Sequence, residues 1–431
     1  MLEAVKVALD PTPSQIRAFN SHAGASRFAY NAALHQVKVL LEARPSDATV
    51  DVPWSYYSLR RWWNSAKDAL APWWAENSKE AYNSGLEALA AGLKNFSSSK
   101  KGKRKGQRVN FPRFKSRQRA RKSFQYTTGS FGVADPYGVK LPRIGRVHTH
   151  ERIDDRIAGA TVKRVTVSES GGRWFASFTV ERPDEHQANR PPAGSVVGVD
   201  LGVSALATLS TGEVVENPRH LKKAQRKLRR LGKAYSRTQR GSRGRSKAAD
   251  KLSRAHARVR NLRADTIHKM TTNLSSRFET IVLEDLNVAG MARNRRLAQA
   301  IGDASFAEIR RQIEYKQTRC GGEVVLADRW YPSTKTCSNC GAVKAKLPLH
   351  VRTFVCDDCQ LEIDRDLNAA INLKQLVAGS GPETQNGDGE PVRPTFASAR
   401  ICEVTTRQEP KAPSDLDRQL VTVASHTDDY C

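Results

Sequence analysis

Apolar and polar positions alternate at the start of the chain, in Leu2-Glu-Ala-Val-Lys-Val-Ala-Leu9, which predicts a strand over residues 1–10. Helical spacing follows over residues 13–43, with Ile16, Phe19, Ala23 and Phe28 on one face, and again over residues 55–96. The second stretch is tryptophan-rich (Trp54, Trp62, Trp63, Trp73, Trp74), and most of those rings are expected in a core. From Phe124 to Val180 the pattern turns to short strands, among them Ala160-Thr-Val-Lys-Arg-Val-Thr-Val167 and Trp174-Phe-Ala-Ser-Phe-Thr-Val180. Pro191-Pro-Ala-Gly194 marks a boundary. Beyond it, Val196-Val-Gly-Val-Asp-Leu-Gly-Val203 and Thr280-Ile-Val-Leu-Glu-Asp-Leu286 are apolar runs of buried-strand type. Between them, Leu206-Ala-Thr-Leu209 runs hairpin-like into the turn Thr211-Gly212, and two long helices follow. Strand pair, helices and a further strand suggest an RNase H-like α/β layer.

The two helices carry the charge that changes the picture. Between Arg219 and Arg263 nearly every turn holds Lys or Arg, and Asp250 is the only acid. Leu221, Leu228, Leu231 and Tyr235, then Leu252, Ala255, Val259, Leu262 and Met270, form thin apolar seams. Solvated helices normally mix both signs, so the remaining faces read as phosphate-contacting, with Arg226, Arg230 and Arg237 as candidates. A second basic stretch runs from Lys100 to Arg108, equally readable as a linker, and continues through Phe111-Pro-Arg-Phe-Lys115 to Phe124. There, aromatics interleaved with Arg113 and Lys115 suit phosphate contact and base stacking. The whole chain has a formal net charge of +27. Such a balance favours a polyanionic partner, nucleic acid first. No apolar run approaches membrane-spanning length and no signal-peptide pattern opens the chain, so a cytoplasmic protein is expected.

Candidate chemistry lies on three acids and four cysteines. Asp200 and Glu284 sit on the two apolar runs, and Asp366 opens the helix Asp364-Arg-Asp-Leu-Asn-Ala-Ala-Ile-Asn-Leu373. Taken alone, an acid on a strand is more often a paired structural residue. Three acids so placed can instead converge on divalent cations, and two such ions clamp the attacking and leaving oxygens of a phosphodiester. Cys337-Ser-Asn-Cys340 and Cys356-Asp-Asp-Cys359, fifteen residues apart, have the spacing of a closed, structural four-thiolate zinc site. Gly341 supplies the tight turn of the first knuckle, and Gln360 stands where the second would favour glycine. Cys320, Cys402 and Cys431 show no partner pattern.

These motifs resemble TnpB, the transposon-encoded RNA-guided nuclease family related to type V CRISPR effectors. The resemblance rests on Gly198-Val-Asp-Leu-Gly202, Glu284-Asp-Leu-Asn287, Asn294-Arg-Arg-Leu297, Tyr331-Pro-Ser-Thr-Lys-Thr-Cys-Ser-Asn-Cys-Gly341 and Asp364-Arg-Asp-Leu-Asn-Ala-Ala-Ile-Asn372. Arg27-Phe-Ala-Tyr-Asn31 and Phe111-Pro-Arg-Phe-Lys115 add to it, and the likeness covers about residues 1–377. It implies a multi-domain α+β chain: a wedge-like β-barrel (1–10 and 97–190) with an inserted helical recognition domain (11–96). An RNase H-like RuvC domain (195–329 and 363–377) would follow, with a zinc ribbon inserted at 330–362 and a disordered tail at 378–431.

The implied activity is cleavage of double-stranded DNA beside a short target-adjacent motif, directed by a guide RNA from the transposon end. Asp200, Glu284 and Asp366 would be catalytic ligands of Mg2+, two ions in all, with Asp364 structural. One structural Zn2+ would sit on Cys337, Cys340, Cys356 and Cys359. Lys79, Asn83 and Thr127 fall where the family contacts the adjacent motif. A nuclease-silent RNA-guided regulator and a self-contained transposase are the alternatives; a co-purifying RNA would discriminate against the transposase.

Overall fold

The structure, a computed structural model, describes residues 2–45, 49–127, 129–182, 190–348 and 350–378. The tail expected at 378–431 lies, apart from its first residue, outside the described residues.

Strand β1 (Leu2–Asp10) leads into α1 (Pro13–Ala43). The helix starts where Thr12 Oγ1 accepts from the Gln15 amide, Gln15 bonds back to Thr12, and Pro13 presets the first turn. Phe19 and Ala23 are buried and Phe28 partly so, but Ile16 is exposed rather than sharing their face. The helix expected over 55–96 is two, α2 (Tyr56–Leu70) and α3 (Lys79–Lys100). Pro72 cannot donate to a continuing ladder, and Ser78 caps a new start through the Glu80 amide. Trp63 is buried, Trp54, Trp62 and Trp74 pack partly buried on the core, and Trp73 is exposed.

Next come β2 (Ser123–Thr127), β3 (Gly132–Asp135), β4 (Gly138–Leu141), β5 (Gly145–Thr149), the turn-length α4 (Asp154–Ile157), β6 (Thr161–Ser170) and β7 (Arg173–Glu181). The strands pair in the order β2-β6-β7-β1-β5-β4-β3. Every pairing in it is antiparallel. Among the described residues β2 and β3 do not pair, so the expected barrel is an open sheet. Instead, helix α3 flanks β2: Gln125 there bonds to Glu87 on the helix. Phe19, Leu34 and Leu86 from the helices share one core with Phe124, Val167 and Phe178 from the strands.

The second sheet runs β10-β9-β8-β11-β12. Its strands are β8 (Val196–Asp200), β9 (Ala205–Leu209), β10 (Val214–Glu216), β11 (Thr280–Glu284) and β12 (Glu323–Ala327). Strands β8, β11 and β12 are parallel, and β9 runs antiparallel to both β8 and β10, so β9 alone is reversed. The basic helices α5 (His220–Ser236) and α6 (Arg243–Arg277) intervene, then α7 (Val288–Met291), α8 (Ala298–Ala304) and α9 (Phe306–Cys320). A small hairpin, β13 (Thr353–Val355) and β14 (Glu362–Asp364), precedes α10 (Arg365–Ala378).

The period of two assigns the faces of this sheet. Val197 and Val199 of β8, with Ile281 and Leu283 of β11, join Ile267, Met270 and Ile309 on the α6–α9 side. Val196 and Val282 face the other way, in a cluster with Leu373 and Leu376 of α10. Asp200 and Glu284 share that parity, so both belong to the α10 side. Gly198 allows the approach: a Cβ there would lie 2.0 Å from the Ala370 carbonyl oxygen, so α10 rests directly on the β8 backbone.

Candidate active site and thiolate ribbon

Parallel pairing places Leu283 beside Val199, so Asp200 and Glu284 end neighbouring strands at the same carboxyl edge. Helix α10 begins against this edge and carries Asp366 in its first turn. Asp364 accepts from the amides of Asp366 (2.9 Å) and Leu367 (3.0 Å), capping the helix and leaving Asp366 as the third acid. The structure thus brings together all three sequence-predicted acids. Burial, reinforced by Glu284 and Asp366, pushes the Asp200 carboxyl up to about 8. Three carboxylates at one sheet edge offer hard oxygen donors of the kind a divalent cation takes.

Several residues that complete this edge escaped the sequence reading. Ser333 Oγ donates to Glu284 Oε1 at 2.5 Å. Arg352 Nη1 lies 3.7 Å from Asp366 Oδ2, and its Nη2 donates to Ser204. Two asparagines on α10 fasten the segment leading into the ribbon. Asn372 Nδ2 donates to the carbonyls of Ser333 and Thr336, both at 2.7 Å. Asn368 donates to Thr336 O (2.7 Å) and accepts from the Ser338 amide (2.9 Å). The period-four pair Asn368 and Asn372, directly after the third acid, was the available signal.

The four predicted cysteines form one cluster. Their sulfurs all lie within 4.8 Å of one another; Cys337 and Cys359 are 3.6 Å apart and Cys340 and Cys356 3.5 Å. A tetrahedral zinc with Zn–S bonds of about 2.3 Å requires S–S separations of about 3.8 Å. The thiol set fits that ion. Gly341 takes φ 79° at the first knuckle, and Gln360 takes φ 60° at the second, where its side chain donates to Asp357 O. The second turn therefore adopts the left-handed conformation without the glycine that suits it.

The predicted nucleic-acid residues separate into groups. Asn83 and Thr127 meet at the buried Glu80, donating to its two oxygens at 3.3 and 3.0 Å, and exposed Lys79 precedes it on α3. Glu80, which links them, was not foreseen. Arg113 is exposed, whereas Lys115 is half-buried with its ammonium 3.8 Å from the Tyr30 ring centroid, so part of its role is packing. Arg226, Arg230 and Arg237 all lie exposed on or at the end of α5, which packs on α6, where Leu228 and Val259 are buried. Leu262, expected in that seam, is 41% exposed. A cavity of about 440 Å³ between α1 and the approach to β2 is lined by Arg17, Arg27, Arg117, Arg121 and Lys122, with no acid in its wall. Nearby, Lys6 is held below the usual lysine range by burial, then by Arg260 and Arg121.

An open antiparallel sheet with helices, then a mixed sheet with three acids at one edge and an attached four-cysteine ribbon, defines a ribbon-bearing α+β protein. Residues 306–373 match the family described as "Cas12f1-like, TNB domain", and residues 177–295 that described as "Probable transposase". Residues 1–44 match a "Helix-turn-helix domain", although here they form a strand and one unbroken helix. A Mycobacterium tuberculosis protein named "Putative RNA-guided DNA endonuclease" is 37% identical over 94% of both chains. Relatives with that name in Streptomyces pristinaespiralis (39% identical, 70% of this chain and 73% of that one) and Escherichia coli (32%, 88% and 92%) agree. The chain belongs to the TnpB family.

Proposed function

We propose that this chain is an RNA-guided endonuclease that cleaves double-stranded DNA beside a short adjacent motif, guided by an RNA from its transposon end. The observation that carries the reading is the convergence of Asp200, Glu284 and Asp366 at one sheet edge. The strand order, with β9 alone running against the other four strands, supports a RuvC-type, RNase H-like assignment for residues 195–329 and 363–377. Names of relatives supply the RNA-guided part.

Asp200, Glu284 and Asp366 would hold Mg2+. Bound there, the ions would polarise the scissile phosphodiester and acidify an attacking water. Asp200 must release its proton to become a ligand, so ion uptake at this edge is coupled to proton release. Ser333 orients Glu284 through its hydroxyl, and Arg352 faces Asp366 from the ribbon side. Zinc on Cys337, Cys340, Cys356 and Cys359 would fix the segment that carries Ser333. The exposed cations of α5 and α6 and the basic cavity would hold phosphates, while guide pairing supplies most sequence specificity.

The test is to isolate the protein from cells expressing its native locus, sequence the bound RNA, and supply DNA matching that RNA. Wild type should cut in Mg2+, and Asp200→Ala should bind the same target without cutting. Cutting by Asp200→Ala would remove that residue from the centre. Absence of any discrete RNA would overturn the guided reading in favour of a self-contained transposase.

A further inference from the structure

We infer that Trp330 is a stacking platform for an unpaired base of the strand presented to the acidic edge. The inference rests on the nuclease reading above. Of the seven tryptophans, Trp330 alone is almost wholly exposed, at 85%, and it makes no ring contact among the described residues. An indole left in water forfeits its large apolar surface, so such exposure suits a surface that is covered during work.

Its neighbours are all fastened. Strand β12 ends at Ala327, paired with Glu284. Asp328 then accepts from the Trp330 amide at 2.8 Å through its carboxylate, and from the Tyr331 amide at 3.0 Å through its carbonyl. Arg329 is bound to Asp285, with Nη2 2.5 Å from Oδ2. Tyr331 packs partly buried against the cluster of Val282, Ala327 and Leu373, and Ser333 is bonded to Glu284. A turn pinned on both sides of a free indole displays it at little further entropic cost on binding. The arc starts beside one proposed ligand and ends bonded to it, so a base on the indole belongs to a nucleotide close to the reacting phosphate.

Duplex bases are already stacked on one another, so the occupant is single-stranded. Guide pairing displaces such a strand. Aromatic–base stacking is tolerant of sequence. Trp330 would therefore set where the strand lies without adding a base preference.

The guide-loaded protein is assayed for single-turnover cleavage as wild type, Trp330→Ala, Trp330→Phe and Trp330→Tyr. Trp330→Ala should cut roughly 5- to 150-fold more slowly, the range of one stacked base, with target affinity nearly unchanged. Phe and Tyr should restore most of the rate. In parallel, a 2-aminopurine-containing single strand is titrated into each protein on an Asp200→Ala background, where fluorescence reports stacking without cutting. Quenching that Trp330→Ala abolishes and Phe retains supports the inference, even if no cleavage is found and the nuclease reading fails. Unchanged rate and unchanged quenching in Trp330→Ala overturn it. A rate loss that neither Phe nor Tyr repairs also overturns it, because it would reflect disturbance of the turn.

Discussion

Replacing Asp200 with Asn should stabilise the metal-free protein, by an amount that grows with pH. The Asp200 carboxyl is buried and feels the charges of Glu284 and Asp366, and its pKa rises from 3.8 to about 8. A folded-state pKa above the unfolded value means that the native protein binds the extra proton throughout that interval. Stability therefore falls as pH rises, at about 1.4 kcal/mol per pH unit. From pH 5 to pH 7 the loss assigned to Asp200 is about 3 kcal/mol, as an upper bound for a side chain with neighbours able to relax. His22 and His268, each held below the usual histidine range chiefly by burial, act in the opposite sense. The readout is accordingly the difference between wild type and Asp200→Asn, from denaturant unfolding in chelator at pH 5, 6 and 7. That difference should widen with pH, and excess Mg2+ should shrink it by favouring the ionised wild-type site. Parallel curves for the two proteins would refute the argument that burial and acid crowding hold this carboxyl protonated.

Elemental analysis should find about one equivalent of zinc in wild type and little in Cys337→Ser, which should also cleave more slowly, because its segment is bonded to α10 through Asn368 and Asn372. Ser333→Ala should leave zinc content and fold unchanged yet slow cleavage roughly 10- to 100-fold, the usual cost of losing a partner that orients a ligand. Replacing Arg226, Arg230 and Arg237 together with Gln should weaken binding to any sequence. Each lost duplex phosphate contact should flatten the log-affinity against log-salt plot by about 0.9, measured at three salt concentrations. An unchanged slope would mean that these side chains touch no phosphate.

The sequence was most legible where local periodicity and spacing are set by short-range physics. β1 (Leu2–Asp10), both acid-bearing strands and the two cysteine pairs fall where alternation and Cys-x-x-Cys spacing put them. It was less legible where tertiary placement decides. A single helix over 55–96 was broken by Pro72, which a periodicity count passes over. Ile16 and Leu262 fit their apolar stripes by spacing and are nevertheless exposed, since spacing alone does not say which stripe positions a neighbouring element covers. The openness of the first sheet turns on β2 and β3, neighbours in sequence that take opposite edges, β2 on β6 and β3 on β4, a choice made by tertiary pairing rather than by local pattern. Ser333, Asn368 and Asn372 are ordinary polar residues until the fold sets them against one another.

The order of the parts along the chain has a consequence during synthesis. Asp200, Glu284 and Asp366 arrive in widely separated stretches, and the last arrives only after all four cysteines. Helix α10 both brings the third acid and closes over β8 at Gly198, so the edge is incomplete until that helix has left the ribosome. Domains generally fold as they emerge, amino-terminal part first. A nascent or prematurely stopped chain can thus already display its basic helices to nucleic acid while still lacking the third acid. On the proposed reading, possession of the polyanion would precede the capacity to cut it, and the final helix would act as a late assembly checkpoint.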